Sequence, residues 1–244
     1  MNSGFYAACA GLQAQSQALE LVANNLANVN TTGFRQQQAL FRSTLDRASA
    51  DWSSPLNSAI NDFSILGGSR TDLNTGTLDR TGNPLDLAIE GKGVFAVQSK
   101  AGIVYTRDGN FQVSSTGKLT TSSGDLVLGE QGPIIVPAGE VSISPDGTLS
   151  SNGAVADRLR VLEFVPDSAP VAVGKSYYSA SAKEVRPSPG SYVRQGMLES
   201  SNVTAVEAVV QLITIQRRAE MMERAMAAIN SNLDHIAAND LPHT

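Results

Sequence analysis

The chain has 244 residues, with 18 Lys plus Arg against 23 Asp plus Glu and a formal net charge of −5. A mildly acidic chain is unsuited to non-specific nucleic-acid binding, which needs clustered basic charge to displace counterions. One cysteine, Cys9, excludes a disulfide framework and a multi-Cys metal site, and two histidines, His235 and His243, argue against transition-metal clusters and Ser-His-Asp machinery.

The N-terminal segment MNSGFYAACAGLQAQ carries no Lys or Arg and no uninterrupted apolar core, so it does not read as a cleaved secretion signal. No stretch approaches the ~18 apolar residues that span a bilayer as a helix. Phe5, Leu12, Leu19 and Leu26 recur every seven residues. Ala8, Val22 and Val29 fill the companion positions, with Gln15 the polar exception. This is a heptad seam, and it predicts a helix that Gly33 stops. Residues 1–34 hold one charged side chain, Glu20, so the helix suits burial against protein on several sides.

Residues 36–71 read as a linker with helical patches: Leu40, Phe41, Leu45 and Trp52 prolong an apolar pattern, and Pro55 and Gly67-Gly68 break it. From there to position 196 the chain is dense in turns. Eighteen of its 21 glycines fall within 67–196, and no proline precedes Pro55. Short β-branched or alternating runs include Leu85–Ile89, Val94–Val97, Ile103–Thr106, Ile134–Val136 and Leu159–Phe164. Between them lie Asp108-Gly109, Thr116-Gly117, Ser123-Gly124, Asp146-Gly147 and Asn152-Gly153, pairs that close hairpins. The middle is therefore predicted as a curled, hairpin-rich antiparallel β domain over 72–196.

The C-terminal segment carries a second heptad seam. Leu212, Ile215, Ala219, Met222, Met226, Ile229, Leu233 and Ile236 alternate in spacings of three and four. Ser201 or Asn202 is the predicted N-cap, with Glu207 complementing the helix dipole in the early turns. Either seam alone is explained by packing on its own domain. Two seams at opposite ends of one chain favour pairing of the ends with each other, and then with other copies, as a coiled coil. The predicted fold class is thus α+β: terminal helices 1–35 and 197–244 around a central all-β domain, joined by the linker 36–71.

The chemical motifs are weak. Gly91-Lys92-Gly93 lacks the spacing of a phosphate-binding loop and reads as a turn before a strand. Asp108-Gly109-Asn110 lacks the later glycine and bidentate Glu of a calcium loop. Asp79, Asp86, Glu90 and Asp108 could supply paired carboxylates for glycoside hydrolysis, but nothing in the sequence makes two of them converge. Cys9 has no basic neighbour and reads as an inert packed thiol. No catalytic residue, cofactor or metal is predicted. A β-domain enzyme with helical oligomerisation ends, and a phage-like tube or adhesion module, are the readings of other classes.

Segments spread along the chain bear a resemblance to the flagellar axial family of rod and hook proteins. Ala23–Arg35 (ANNLANVNTTGFR) closely matches its N-terminal signature. Gly76–Ile89 (GTLDRTGNPLDLAI), continued by Gly91–Val97 and by Tyr105–Phe111 (YTRDGNF), resembles the start of its central domain. Glu199–Val203 (ESSNV) resembles the opening of its C-terminal helix. The length and single β domain are similar to the rod members rather than the longer hook protein. Leu128–Ile134 (LGEQGPI) resembles the proximal rod form, and no Leu-Tyr-Gln follows Phe34 as it does in the distal form.

The resemblance implies a structural subunit, exported unfolded through the flagellar type III apparatus without signal cleavage. It implies a periplasmic rod that encloses the export channel and transmits torque, with copies of this chain and other rod subunits as partners and no membrane insertion. The terminal helices would line the inner tube. Leu12, Leu19, Leu26, Leu212, Ile215, Met222, Met226, Ile229 and Leu233 are then the candidate assembly residues.

Overall fold

The computed structural model describes residues 2–42, 65–166, 168, 170–174 and 176–239. Side chains at 2–8, 10, 41, 42, 65–68, 225, 226 and 228–239 are outside that description, so those of Met226, Ile229 and Leu233 are too. The chain divides into two compact units. The first collects residues 1–26, 37–70 and 205–244; the second collects 27–36 and 71–204. The architecture is α+β, with a helix near each terminus and a mainly β middle.

The first unit holds helix α1 (Asn2–Ala27), the paired strands β1 (Gln37–Arg42) and β2 (Ile65–Thr71), and helix α2 (Ala205–Asn239). Both flanks of the predicted linker are therefore strands, and residues 43–64 lie outside the described residues. Leu40 sits in β1 rather than in a prolonged helix. The Asn25 amide holds the start of β1 as a backbone partner would. Its Nδ2 donates to the Gln37 carbonyl at 2.8 Å, and its Oδ1 accepts the Gln37 N–H at 2.9 Å.

Burial along α1 runs through Gly11, Ala14, Ala18, Val22 and Asn25, while Leu12, Leu19 and Leu26 are half-buried beside that stripe. Small residues let a backbone approach closely, so the leucines flank the contact instead of centring it. In α2 the covered positions are Ala208, Leu212, Ile215, Ala219 and Met222, a three–four alternation. The opposite face exposes Val206, Val209, Val210 and Ile213. No helix among the described residues is long and apolar enough to cross a membrane.

The second unit is built from β3 (Leu78–Arg80) to β18 (Met197–Glu199). A nine-stranded antiparallel sheet contains β5 (Val94–Ser99) beside β6 (Gly102–Thr106) and β9 (Leu126–Val127), with β7 (Phe111–Val113) at one end of the strand path. A three-stranded sheet of β10 (Val141–Ile143), β11 (Thr148–Ser151) and β12 (Ala154–Arg158) is a meander of the predicted hairpins. Two further antiparallel pairs complete the unit: β17 (Tyr192–Gln195) on β4 (Leu87–Glu90), and β18 on β3. Leu87, Phe95, Phe111, Leu119, Val127, Ile134 and Leu149 form the main core, where the Phe95 and Phe111 rings meet edge-on with centroids 5.1 Å apart. Burying each such side chain contributes about 1.5–3 kcal/mol.

The turn predictions hold locally. Gly91 has φ +112°, and a Cβ on Gly93 would lie 2.6 Å from Val161 Cγ1, so Gly91-Lys92-Gly93 is a close-packed turn into β5.

Candidate functional site

The signature segments meet inside the second unit. Residues 27–36 leave α1 through a turn in which the Thr31 N–H donates to the Asn28 carbonyl at 3.1 Å. Gly33 follows with φ +66°, a left-handed conformation that glycine adopts without strain. Its N–H donates to the Glu199 carbonyl at 2.8 Å. Phe34 and Arg35 are buried immediately after it.

Glu199, at the end of β18, has no exposed side-chain surface. Its Oε1 lies 2.5 Å from Arg35 Nη2 and accepts the Gly76 N–H at 2.8 Å. Its Oε2 accepts from Arg107 Nη1 at 2.9 Å. Arg107 also donates to the Ile89 carbonyl at 2.9 Å, and closely to that of Gly91. Arg35 Nη1 is buried without a hydrogen-bonding partner among the described residues. One carboxylate thus faces two guanidinium groups in the interior. Burial lowers the Arg107 pKa to about 10, Glu199 opposing that shift and Arg35 adding to it. Tyr178 is buried in the same field. Its phenol pKa is raised by burial, against the lowering influence of both arginines.

Around this centre the connections are polar and short. Thr32 Oγ1 donates to Asp108 Oδ1 at 2.7 Å, and the Asp108 N–H donates to Thr106 Oγ1 at 2.9 Å. Thr106 Oγ1 donates in turn to the Ser176 carbonyl at 2.8 Å. Asp108 Oδ1 also accepts the Asn110 N–H at 3.1 Å, but Gly109 does not take a positive φ and β6 does not pair with β7, so Asp108-Gly109 links two strands of the sheet without closing the predicted hairpin. Burial raises the Asp108 pKa, and the Thr32 and Asn110 hydrogen bonds oppose it.

Asn202 was predicted as an N-cap, but α2 begins at Ala205, and the Asn202 amide is committed elsewhere. Its Oδ1 accepts the Gln36 N–H at 2.7 Å, and its Nδ2 donates to the Asp72 and Asn74 carbonyls at 3.2 and 3.0 Å. Ser201 Oγ accepts the Val203 N–H at 3.2 Å. The cap expectation failed because an Asn side chain bonds any nearby backbone, and the chain crossing beside it is invisible to local pattern.

Each of the four carboxylates weighed for hydrolysis has hydrogen-bonding partners of its own, and of these four Asp86 acts on Asp108 through charge. Asp79 accepts closely from Ser200 Oγ, Asp86 from Asn83 Nδ2 at 3.0 Å, Glu90 from Arg194 Nε at 2.8 Å, and Asp108 from Thr32. A groove of about 610 Å³ on this unit is lined in part by Tyr105, Val161 and Val193. Of its two acids, Glu130 lies 3.5 Å from Arg158, and Asp146 offers its carbonyl to Arg158 Nε at 3.0 Å. No group of three His, Cys, Asp or Glu among the described residues is placed to hold a metal.

The nine predicted assembly residues lie on the helices and outside this junction. Leu12, Leu19, Leu26, Leu212, Ile215 and Met222 are half-buried. The spacing in each terminal segment pointed to the two helices; the ionic centre was missed because its partners are far apart in sequence. The only local signal was an Arg or a Glu inside each of three signature segments.

Three segments of the chain match known protein families. Residues 5–35 match the flagella basal body rod protein family, 88–151 the flagellar hook protein FlgE/F/G D1 domain, and 194–239 the flagellar basal body rod FlgEFG protein C-terminal domain. A flagellar basal-body rod protein FlgF of Caulobacter vibrioides is 32% identical, with 93% of each chain covered. FlgF of Salmonella typhimurium is 33% identical over 95% of this chain and 96% of its own. A flagellar basal-body rod protein FlgG of Buchnera aphidicola from Acyrthosiphon pisum is 30% identical over 93% of this chain and 95% of its own.

Proposed function

The chain belongs to the flagellar basal-body rod protein family, structural proteins and not enzymes, and from that membership we propose that it polymerises into the axial shaft as the proximal rod protein. It is a structural subunit of the basal-body rod and assembles with other flagellar components. In our reading α1 and α2 pair as a coiled coil and line the inner tube, which encloses the export channel. Leu12, Leu19, Leu26, Leu212, Ile215, Met222, Met226, Ile229 and Leu233 form the assembly seam. The unit of residues 27–36 and 71–204 lies outside the tube. Contacts between copies that do not close into a ring generate a filament, and a shaft of this kind transmits torque. Export through the flagellar type III apparatus, without a cleaved signal, belongs to the same proposal.

The observation that carries the reading is the apolar alternation of α2, Ala208–Leu212–Ile215–Ala219–Met222, on a helix whose opposite face is also apolar over its first turns. A helix with two apolar faces has more surface to cover than one chain offers it. Relatives named FlgF and FlgG have similar identity to this chain, so the choice of rod position rests on LGEQGPI at 128–134 and on the missing Leu-Tyr-Gln.

A deletion strain tests the function. Loss of motility, with hook-basal bodies arrested at the rod stage, supports it, and normal motility refutes it. Arrest before any distal rod is added identifies the proximal position.

A further inference from the structure

The chain passes out of the second unit at four places: before Ala27, after Gln36, before Thr71 and after Thr204. One side chain gathers three of them. Asn202, two residues before the last passage, takes the Gln36 N–H on its Oδ1 and gives its Nδ2 protons to the Asp72 and Asn74 carbonyls. The backbone adds a second set of ties: Asn202 N–H to the Phe34 carbonyl at 3.4 Å, and Asp72 N–H to the Gln36 carbonyl at 2.8 Å. Behind the pin stands the ionic centre, since Arg35 precedes Gln36 and Glu199 lies on the strand just before Asn202. The fourth passage leads to Gly33, whose N–H is held by the Glu199 carbonyl.

We infer that Asn202 is a coupling residue: it fixes the spacing of three chain passages, so that a displacement of the helices is handed to the β unit instead of being absorbed in the connections. Free connections yield through their soft φ and ψ angles. Passages joined by one amide yield only within the tolerance of its hydrogen bonds. The task selects asparagine. It needs an acceptor and two donors on a short stem; Asp has no donor, Ser has one, and Gln adds a rotatable bond. The inference deepens the rod reading and rests on it only for its consequence under load.

Hydrogen exchange on the full-length chain tests the pin itself. In Asn202→Ala the amides of Gln36 and Asp72 should exchange faster by roughly tenfold or more, while Leu119 and Ile134, which donate inside the β core, keep their protection. Asn202→Asp keeps the acceptor of the Gln36 N–H and loses the donors to the Asp72 and Asn74 carbonyls, so Gln36 should stay protected while the amides of the 72–74 segment, no longer held through those carbonyls, exchange faster. Equal acceleration at Leu119 and Ile134 would make Asn202 a general stabiliser and overturn the coupling role. Unchanged Gln36 and Asp72 would also overturn it. In cells complemented with the Ala variant, swimming should fall more steeply than wild type as the medium is made viscous. An equal decline, or rods missing although the exchange pattern is as expected, overturns the load-bearing consequence. Failure of the rod reading is distinguishable, because it appears as normal motility of the deletion strain.

Discussion

Gly33 and Asp108 meet backbone to backbone: a Cβ on Gly33 would stand 2.3 Å from the Asp108 nitrogen. No rotamer change relieves a contact with main chain, so either the turn after α1 or the turn after β6 must move.

Gly33→Ala should therefore destabilise the β unit by about 3 kcal/mol or more, combining left-handed strain with backbone displacement. Gly82 is the control. Its φ is +77° with nothing within 4 Å of a Cβ, so Gly82→Ala should cost only about 1 kcal/mol. Urea denaturation of both variants measures the difference. Equal losses would mean that the close approach at Gly33 carries no energy.

Glu199→Gln should lower stability by about 3–5 kcal/mol, because two buried guanidinium groups lose their counter-charge. Exposed pairs give the contrast: Glu90→Gln, which breaks the surface pair with Arg194, should change stability by less than about 1 kcal/mol. Thermal or chemical unfolding reads both, and a small effect at Glu199 would refute the centre's structural role.

Asp108 makes a pH prediction. Burial raises its folded-state pKa above the unfolded value, so the folded chain keeps this proton to a higher pH than the unfolded chain does. The resulting stabilisation is fully present below the unfolded pKa and is lost as pH rises through the folded one. Asn at this position keeps the oxygen that accepts from Thr32 and Asn110 and has no proton to lose. Asp108→Asn should be at least as stable as wild type near neutral pH, and wild type should gain on it as pH falls toward about 4. Denaturation curves across that range check the crossing trend; a variant markedly weaker at neutral pH would contradict it.

Ile215→Glu should block incorporation into the rod while leaving the unfolding transition of the β unit unchanged. Ile215 is half-buried on the covered face of α2, and placing a charge in a packed seam costs more than the ~1.5–3 kcal/mol its burial contributes. Every added subunit repeats the defect. Motility counts and melting curves together decide the matter. Full motility, or a collapsed β-unit transition, would refute the seam.

The elements with short-range causes were legible in the sequence. Hairpins followed Asp146-Gly147 and Asn152-Gly153 because positive φ is a local requirement, which the structure meets at Gly147, Asn152 and Gly153. The stripe of α2 followed from spacing alone. The buried face of α1 was harder to read, since leucines draw attention and Ala14 and Ala18 do not, although small residues allow the closest approach. The Arg35–Glu199–Arg107 centre and the work of Asn202 depend on which passages cross, and that is set by topology. Charged residues in connections and at strand ends ordinarily read as solvated, so no pattern singled these out.

Residues 27–36 belong to the β unit although the chain on both sides of them belongs to the other. A graft that exchanges one contiguous β block between related subunits would therefore leave behind the recipient's Gly33, Phe34 and Arg35, facing a foreign Arg107, Asp108 and Glu199. Transplants should fail or succeed according to whether these ten residues travel with the block. The natural exchangeable module is a discontinuous one, stitched from two stretches of sequence, and variation in one stretch constrains what the other can tolerate.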